Sequence, residues 1–156
     1  MKLLDLETQT EFEAEIKDVS EEDFQTIRKS KQFQFDWSAE KRNQVFKMVR
    51  ADEEREQKIL GLLSVSNIKD EFRIHVNLLE VSEGNKGRKK KIDRIAGCLL
   101  AFAVQIAFEK GYSGFTSLIP KTELIGWYKE KYGFSQYGRQ LAIEGKAAIS
   151  LIQKYL

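Results

Sequence analysis

The stretch 86-KGRKKKIDRIAGCLLAFAVQIAFE-109 decides the fold, because a basic segment leads there directly into the most apolar part of the chain. Between Ile95 and Phe108 only Gln105 is strongly polar. A helix at a protein surface shows one apolar stripe, whereas a helix that is apolar on nearly every side is covered on several sides. The sequence therefore predicts a central, buried helix.

The segment before this helix is strongly basic. A single acid, Asp93, and six cations give it a local charge of +5; the cations are Lys86, Arg88, Lys89, Lys90, Lys91 and Arg94. The N-terminus of a helix presents unpaired N–H groups and the positive end of the helix dipole, so added cations suit it to phosphate. Small residues at Ala96 and Gly97 allow a ligand to approach closely. We therefore predict a site for a phosphorylated cofactor, against the alternative of a solvated lysine-rich loop.

Composition and charge narrow the class of protein. A length of 156 residues with 42% hydrophobic and 32% charged residues predicts one soluble domain. A net charge of +2 argues against a polyanion binder of the usual nucleic-acid-binding kind. The only cysteine, Cys98, lies in the predicted buried helix, which indicates a reducing compartment without disulfides. The run Ile95–Phe108 is shorter than the roughly 20 residues that span a bilayer, and Met1–Leu6 is too short for a signal peptide. We expect a cytoplasmic protein without a membrane segment.

Hydrophobic periodicity predicts a mixed α/β layer fold of about six to seven strands with flanking helices. Thr10–Val19 alternates as a half-buried strand does, and Ser20 with Asp23 forms a capping-box pattern for a helix to about Ser30. The other predicted strands are Asn43–Arg50, Lys58–Ser66, Phe72–Val81, Tyr112–Leu118 and one or two within Phe134–Ile143; the other predicted helices run from Lys121 to Tyr132, closed by Gly133, and over 146–155.

Residues Lys91–Leu100 resemble the pyrophosphate loop of the GCN5-related N-acetyltransferases (GNAT), whose pattern is Gln or Arg, two residues, Gly, one residue, Gly or Ala, then two residues and a Leu pair. Two positions depart from this pattern. Lys91 stands where Gln or Arg is usual, and Arg94 stands where the first glycine is usual. The Arg94 side chain either crowds the diphosphate or binds a phosphate through its guanidinium group.

The predicted order of elements also resembles the GNAT family from about residue 10 to 143, with the helix over 146–155 as an addition. The sequence is particularly similar to a bacterial subgroup, through Leu78-Leu79-Glu80, Asn85-Lys86-Gly87, Ala96-Gly97, Lys121-Thr122, Tyr128 and Gly133. The resemblance implies a GNAT-like fold spanning 1–156 and transfer of an acetyl group from acetyl-CoA to an amine.

The resemblance also implies roles for individual residues. The backbone of Leu79 to Val81 would pair with the pantetheine arm, and the N–H groups of the loop would hold the diphosphate. The implied cofactor-binding residues are Leu79, Val81, Lys91, Asp93, Arg94, Ile95, Ala96 and Gly97. Tyr128 would protonate the departing thiolate, with Tyr132 as the fallback. The alternative for Tyr128 is a ring packed in the fold with its hydroxyl at the surface.

Two residues of the strand before the loop are candidates for the general base. His75 has an intrinsic pKa near 6.5, suited to proton transfer, and Glu80 lies nearer the loop. Strand alternation places them on opposite faces, and either side chain could have a structural role alone. A metal site is not expected, since the chain has one His and one Cys and lacks the His-Glu-x-x-His spacing.

Two alternatives belong to other functional classes. The first is a GNAT-fold module that binds CoA or a protein partner without catalysis, favoured by Arg94 at the glycine position. The second directs the enzyme to an RNA such as tRNA through Lys86–Lys91. The acceptor is left open between a small amine, a peptide N-terminus, a lysine and an aminoacyl-tRNA, and a homodimer is among the alternatives for the assembly.

Overall fold

The structure is a computed structural model that describes residues 1–156. Nine strands are interrupted by four helices along the chain. The strands are β1 Lys2–Asp5, β2 Thr10–Asp18, β3 Gln44–Arg50, β4 Gly61–Ile68, β5 Arg73–Val81, β6 Ile92–Asp93, β7 Thr116–Leu118, β8 Ser135–Tyr137 and β9 Gln140–Ile143, and the helices are α1 Glu21–Lys29, α2 Ile95–Glu109, α3 Ile125–Tyr132 and α4 Gly145–Tyr155.

The strands form a mixed sheet in the order β6-β1-β2-β3-β4-β5-β7-β9-β8. The pair β5–β7 is parallel, whereas β1–β2, β2–β3, β7–β9 and β8–β9 are antiparallel. The predicted mixed α/β class is confirmed. The sheet has nine strands rather than six to seven, since β1 and β6 are too short to show a periodic pattern in the sequence.

The chain divides into two compact units. The first comprises Met1–Ser64 and Leu78–Leu99, and the second comprises Val65–Asn77 and Leu100–Leu156. Strands β4 and β5 and helix α2 therefore contribute residues to both units.

In the first unit, helix α1 begins with the predicted capping box. Ser20 Oγ accepts a hydrogen bond from Asp23 N at 3.1 Å, and Asp23 Oδ2 accepts one from Ser20 N at 2.9 Å. The helix buries Phe24 and Ile27 in a cluster with Trp37, Val45 and Leu62. Burial of side chains of this size is the main source of stability of such a layer.

In the second unit, β7 is shorter than the predicted strand Tyr112–Leu118. Ser113 (φ 54°) and Gly114 (φ 76°) adopt left-handed backbone conformations, so the chain turns there and the strand begins at Thr116. A 3₁₀ turn over Thr122–Leu124 precedes α3, and Gly133 (φ 83°) closes that helix, as predicted.

Helix α2 is buried on several sides, as its composition predicts. Seven of its side chains are at most 1% exposed, whereas Gln105 is exposed; the seven are Cys98, Leu99, Leu100, Ala101, Ala103, Val104 and Ala107. Burial raises the pKa of the Cys98 thiol to about 11, which makes it an unreactive core residue. No helix of the structure has both the length and the apolar composition required to cross a bilayer.

Candidate cofactor and acyl-transfer site

The loop between β5 and α2 is held in place by its own backbone and by Asn85. The Asn85 side chain accepts a hydrogen bond from Ile92 N at 3.0 Å and donates one to Ser82 Oγ at 2.8 Å. Strand β6 then pairs with β1, with Asp93 opposite Leu4. The end of the loop is therefore attached to the sheet immediately before the helix begins.

Arg94 has a left-handed backbone conformation, with φ 82°. This is the residue that stands where the loop pattern has its first glycine, and glycine is the residue that adopts such a conformation without strain. The Arg94 Nε group donates to the carbonyl of Lys2 on β1 at 3.1 Å, and Arg94 N donates to Asp93 Oδ1 at 2.8 Å. The backbone thus has the geometry of a glycine position, while the side chain is attached to β1.

The first N–H groups of α2 are available to a ligand. The first backbone bond of the helix runs from Cys98 N to Arg94 O at 3.0 Å, so Ile95, Ala96 and Gly97 have no carbonyl one turn earlier to bind. Their N–H groups lie at the positive end of the helix dipole. This arrangement suits a bound anion such as a phosphate.

Part of the charge of the basic segment is neutralised. Lys86 pairs with Glu80 at 3.1 Å and with Glu83 at 3.5 Å, and Lys90 pairs with Asp93 at 2.6 Å. Three cations of the segment, Arg88, Lys89 and Lys91, are exposed and form no ion pair. The segment therefore keeps a positive surface beside the start of α2.

Strand β5 extends beyond its parallel partner. The register of β5 with β7 ends at Val76 opposite Leu118, where β7 itself ends, whereas β5 continues to Val81. Leu79 and Val81 thus have no β7 residue beside them. A backbone edge of this kind can pair with an extended ligand, because peptide groups along it remain without a strand partner.

Gly61 of β4 allows the start of α2 to pack closely on the sheet. A Cβ atom at this position would lie 2.8 Å from Ile95 Cγ2 and 2.9 Å from Leu99 Cδ1, closer than side chains normally approach. The first turn of α2 therefore depends on Gly61 for its position.

Glu80 is buried and fully hydrogen-bonded. Its side chain is 1% exposed and accepts hydrogen bonds from Gln34 N, Phe35 N, Trp37 Nε1 and Lys86 Nζ. Burial alone raises the pKa of Glu80, but the donors at Gln34, Trp37, Lys86 and Phe35 together bring the pKa below its usual value. A carboxylate in this environment accepts a proton poorly.

His75 is half-buried in the second unit, where β5 pairs with β7. Its Nδ1 lies 2.8 Å from Ser117 Oγ and 3.3 Å from an Arg73 guanidinium nitrogen. Burial and the charge of Arg73 lower the pKa of His75, with Glu71 acting in the opposite direction. The imidazole is therefore neutral at neutral pH.

Tyr128 is half-buried on α3 in an aromatic cluster. Its ring lies 5.1 Å from that of Trp127, 5.9 Å from that of Tyr132 and 6.0 Å from that of Phe134. The hydroxyl forms no hydrogen bond within the protein, and burial raises the pKa of Tyr128. The phenol stays protonated at neutral pH and can donate a proton to a ligand. Tyr132, in contrast, is buried in the core.

A cavity of about 1100 Å³ lies in the first unit and was not predicted from the sequence. Its walls come from α1, from the β3–β4 connection and from both ends of the loop before α2. They include Asp23, Thr26, Ile27, Lys47, Lys58, Ile59, Ser82, Glu83, Asn85, Lys91 and Ile92. No local pattern signals such a space, because residues far apart in the sequence enclose it. No group of His, Cys, Asp or Glu side chains is arranged to hold a metal ion.

No protein-family model matches the chain, and no curated protein matches its sequence. Its structure is similar to AtaTR bound with acetyl-CoA, at 12% identity and a TM-score of 0.60, covering 88% of this chain and 97% of that one. AtaT complexed with acetyl-methionyl-tRNAfMet shows 11% identity and a TM-score of 0.60, covering 90% and 99%. The NatC complex bound to Gag peptide and CoA shows 14% identity and a TM-score of 0.57, covering 85% and 98%.

The chain has the GNAT fold. These neighbours are GNAT acetyltransferases, so the resemblance predicted from Lys91–Leu100 and from the order of elements is confirmed at the level of the fold. At identities of 11–14% the likeness extends no further than the fold. In this GNAT fold, the loop before α2 and the free edge of β5 lie in the same unit, whereas His75 and Tyr128 lie in the other.

Proposed function

We propose that the protein is an acetyl-CoA-dependent N-acetyltransferase whose acceptor carries an amine. One observation carries the proposal: three free N–H groups at the start of α2 follow a residue with left-handed, glycine-like geometry, beside cations that form no ion pair. These residues suit the doubly charged diphosphate of CoA. The GNAT fold and the acetyl-CoA and CoA in the neighbouring structures support the same cofactor.

In this proposal the backbone of the first unit holds the cofactor. The N–H groups of Ile95, Ala96 and Gly97 bind the diphosphate, and the edge of β5 at Leu79 and Val81 pairs with the pantetheine arm. Three further residues shape and charge the loop: Asp93 accepts from Arg94 N, Arg94 sets the turn, and Lys91 supplies a cation.

Acetyl-CoA, when bound, supplies an acyl group activated as a thioester. The protein must remove a proton from the acceptor amine and return one to the departing thiolate. We assign the second role to Tyr128, because its hydroxyl is protonated and has no partner in the protein. For the first role, the neutral imidazole of His75 is better suited than Glu80, whose carboxylate already accepts four hydrogen bonds.

A single catalytic domain over residues 1–156 and a cytoplasmic location are parts of the same proposal. The domain is supported by β4, β5 and α2, which run through both units. The location is supported by Cys98, a buried thiol that forms no disulfide, since reduced cysteines are typical of reducing compartments.

Calorimetric titration with acetyl-CoA, followed by measurement of CoA release with a panel of amines, tests the proposal. The panel contains small amines, peptides with free N-termini or lysines, and aminoacyl-tRNA. We expect saturable binding and release with one class of amine. Y128F should lower kcat by about 10- to 100-fold without changing the affinity for acetyl-CoA. Absence of acetyl-CoA binding would overturn the proposal.

A second candidate is a GNAT-fold module that binds CoA or a protein without catalysis. It is favoured by Glu80, a strand carboxylate beside the proposed cofactor edge that is saturated with donors and unsuited to act as a base. Binding of acetyl-CoA without turnover of any amine would support this candidate.

A third candidate directs the acetyl group to an RNA-linked amine. It is favoured by the exposed cations Arg88, Lys89 and Lys91, and AtaT, a structural neighbour, is known in complex with acetyl-methionyl-tRNAfMet. Affinity for tRNA should then fall steeply with salt concentration and collapse when the three cations are neutralised. Salt-independent activity on a small amine would exclude it.

A further inference from the structure

Glu80 connects parts of the first unit that are distant in the sequence. Its Oε1 accepts hydrogen bonds from Trp37 Nε1 at 2.8 Å and Phe35 N at 3.2 Å. Its Oε2 accepts from Gln34 N at 2.7 Å and Lys86 Nζ at 3.1 Å. The donors therefore come from the segment Gln34–Trp37 and from the start of the basic loop, and they meet on one carboxylate of β5.

The contacts around Glu80 strengthen this connection. Glu83 N donates to the carbonyl of Gln32 at 3.0 Å, and the Gln34 side chain donates to Glu83 Oε2 at 3.3 Å. Lys86 contacts Glu83 as well as Glu80. Since an ionised carboxylate can accept about four hydrogen bonds, the four donors fill its capacity and leave none for a substrate.

We propose that Glu80 is a positioning residue for acetyl-CoA binding. Its carboxylate fixes the segment Gln34–Trp37 and the side chain of Lys86 against β5. Glu80 itself stands between the two residues of β5 that are proposed to pair with the pantetheine arm. This inference rests on the proposed function. Leu79 and Val81 flank Glu80 in the strand, so a shift of Glu80 moves the edge that receives the cofactor. Lys86 forms the ion pair with Glu80 and begins the loop that leads to the N–H groups proposed to bind the diphosphate.

Removal of the negative charge of Glu80 should weaken its contacts with the segment Gln34–Trp37 and with Lys86. In E80Q an NH₂ group replaces one of the two carboxylate oxygens, and this NH₂ group must then face at least one donor. The two backbone N–H groups, the indole and the ammonium group that now bind Glu80 are left with fewer acceptor positions in a buried site. The loop must then be ordered when acetyl-CoA binds, which weakens binding rather than chemistry. A general base would show the opposite pattern, with kcat lost and affinity retained.

The experiment compares E80Q, K86M and the double variant with E21Q as a matched control. Glu21 forms an exposed ion pair with Lys41 at 2.7 Å and lies outside the proposed site. We expect acetyl-CoA affinity to fall about tenfold in E80Q and about threefold in K86M. The double variant should resemble E80Q, because Lys86 acts through Glu80, instead of showing the product of the two losses. The affinity of E21Q should equal that of the unmodified protein.

Limited proteolysis with trypsin gives a readout that needs no activity. Cleavage after Arg88 and Lys89 should accelerate in E80Q and, to a smaller extent, in K86M, because the loop is released.

If E80Q does not fold, K86M alone carries the test. Unchanged affinity and cleavage in E80Q, with kcat reduced and the acidic limb of the pH–rate profile lost, would overturn the inference in favour of a general base. If the unmodified protein fails to bind acetyl-CoA, the proposed function is lost, while the order of cleavage rates still decides whether Glu80 fixes the loop.

Discussion

Arg94 shows how a single residue can keep a backbone geometry that its side chain disfavours. A left-handed conformation costs a non-glycine residue on the order of 1 kcal/mol, and Arg94 has φ 82°. The bond from its Nε to the Lys2 carbonyl on β1 offsets part of this cost. Arg94 stands where the loop pattern usually has a glycine. Its left-handed turn places the N–H groups of Ile95 and Ala96 at the end of the loop.

Two substitutions separate the backbone strain of Arg94 from its side-chain contact. R94G and R94A both lose the bond to Lys2, but only R94A keeps a Cβ atom at φ 82°. We expect R94A to be about 1 kcal/mol less stable than R94G in urea denaturation. Equal free energies of unfolding for the two variants would show that the strain is absent.

His75 should make stability depend on pH. Its pKa is lowered in the folded state by burial and by Arg73, so below pH 6.5 the unfolded chain binds more protons than the folded one. Stability is therefore fully present above about pH 6.5 and falls as the pH drops from there toward the folded-state pKa. In H75Q this part of the dependence should vanish, as measured by urea midpoints between pH 7.5 and 5. An unchanged pH slope in H75Q would contradict the assignment.

At the scale of elements, the sequence predicts helices and strands that have a local hydrophobic or capping pattern, and it misses those that depend on residues distant in the chain. The near absence of polar residues in α2 and the capping box of α1 predict both helices. Strands β1 and β6 escape prediction because they are short, and β6 forms only by pairing with β1, which lies about 90 residues earlier in the chain.

The turn between α2 and β7 gives an element-scale test of packing. Gly111 and Gly114 both have positive φ, at 82° and 76°, but only Gly114 is enclosed: a Cβ atom there would lie 2.6 Å from Phe108 Cε2 and 2.8 Å from Ala148 Cβ. We expect G111A to lose about 1 kcal/mol from backbone strain alone and G114A to lose about 2–4 kcal/mol. Chemical denaturation of the two variants measures the difference. Similar losses would mean that the turn has room for a side chain.

At the scale of the whole molecule, a net charge of +2 conceals an uneven distribution. The basic charge of residues 86–94 and the helix that follows them predict a phosphate site from the sequence, and in the structure the N–H groups of Ile95, Ala96 and Gly97 have no backbone partner. The environment of Glu80 could not be predicted, because three of its four donors lie 43 to 46 residues before it in the chain. The cavity beside α1 could not be predicted for the same reason.

The most direct test of the central claim is an NMR titration of the backbone amides with CoA. We expect saturable shifts that are largest at Ile95, Ala96 and Gly97, where the helix leaves its N–H groups free. Phosphopantetheine, which lacks the diphosphate, should bind at least about tenfold more weakly and shift these amides less. Failure of CoA to bind, or shifts confined to other parts of the chain, would contradict a diphosphate site at the start of α2.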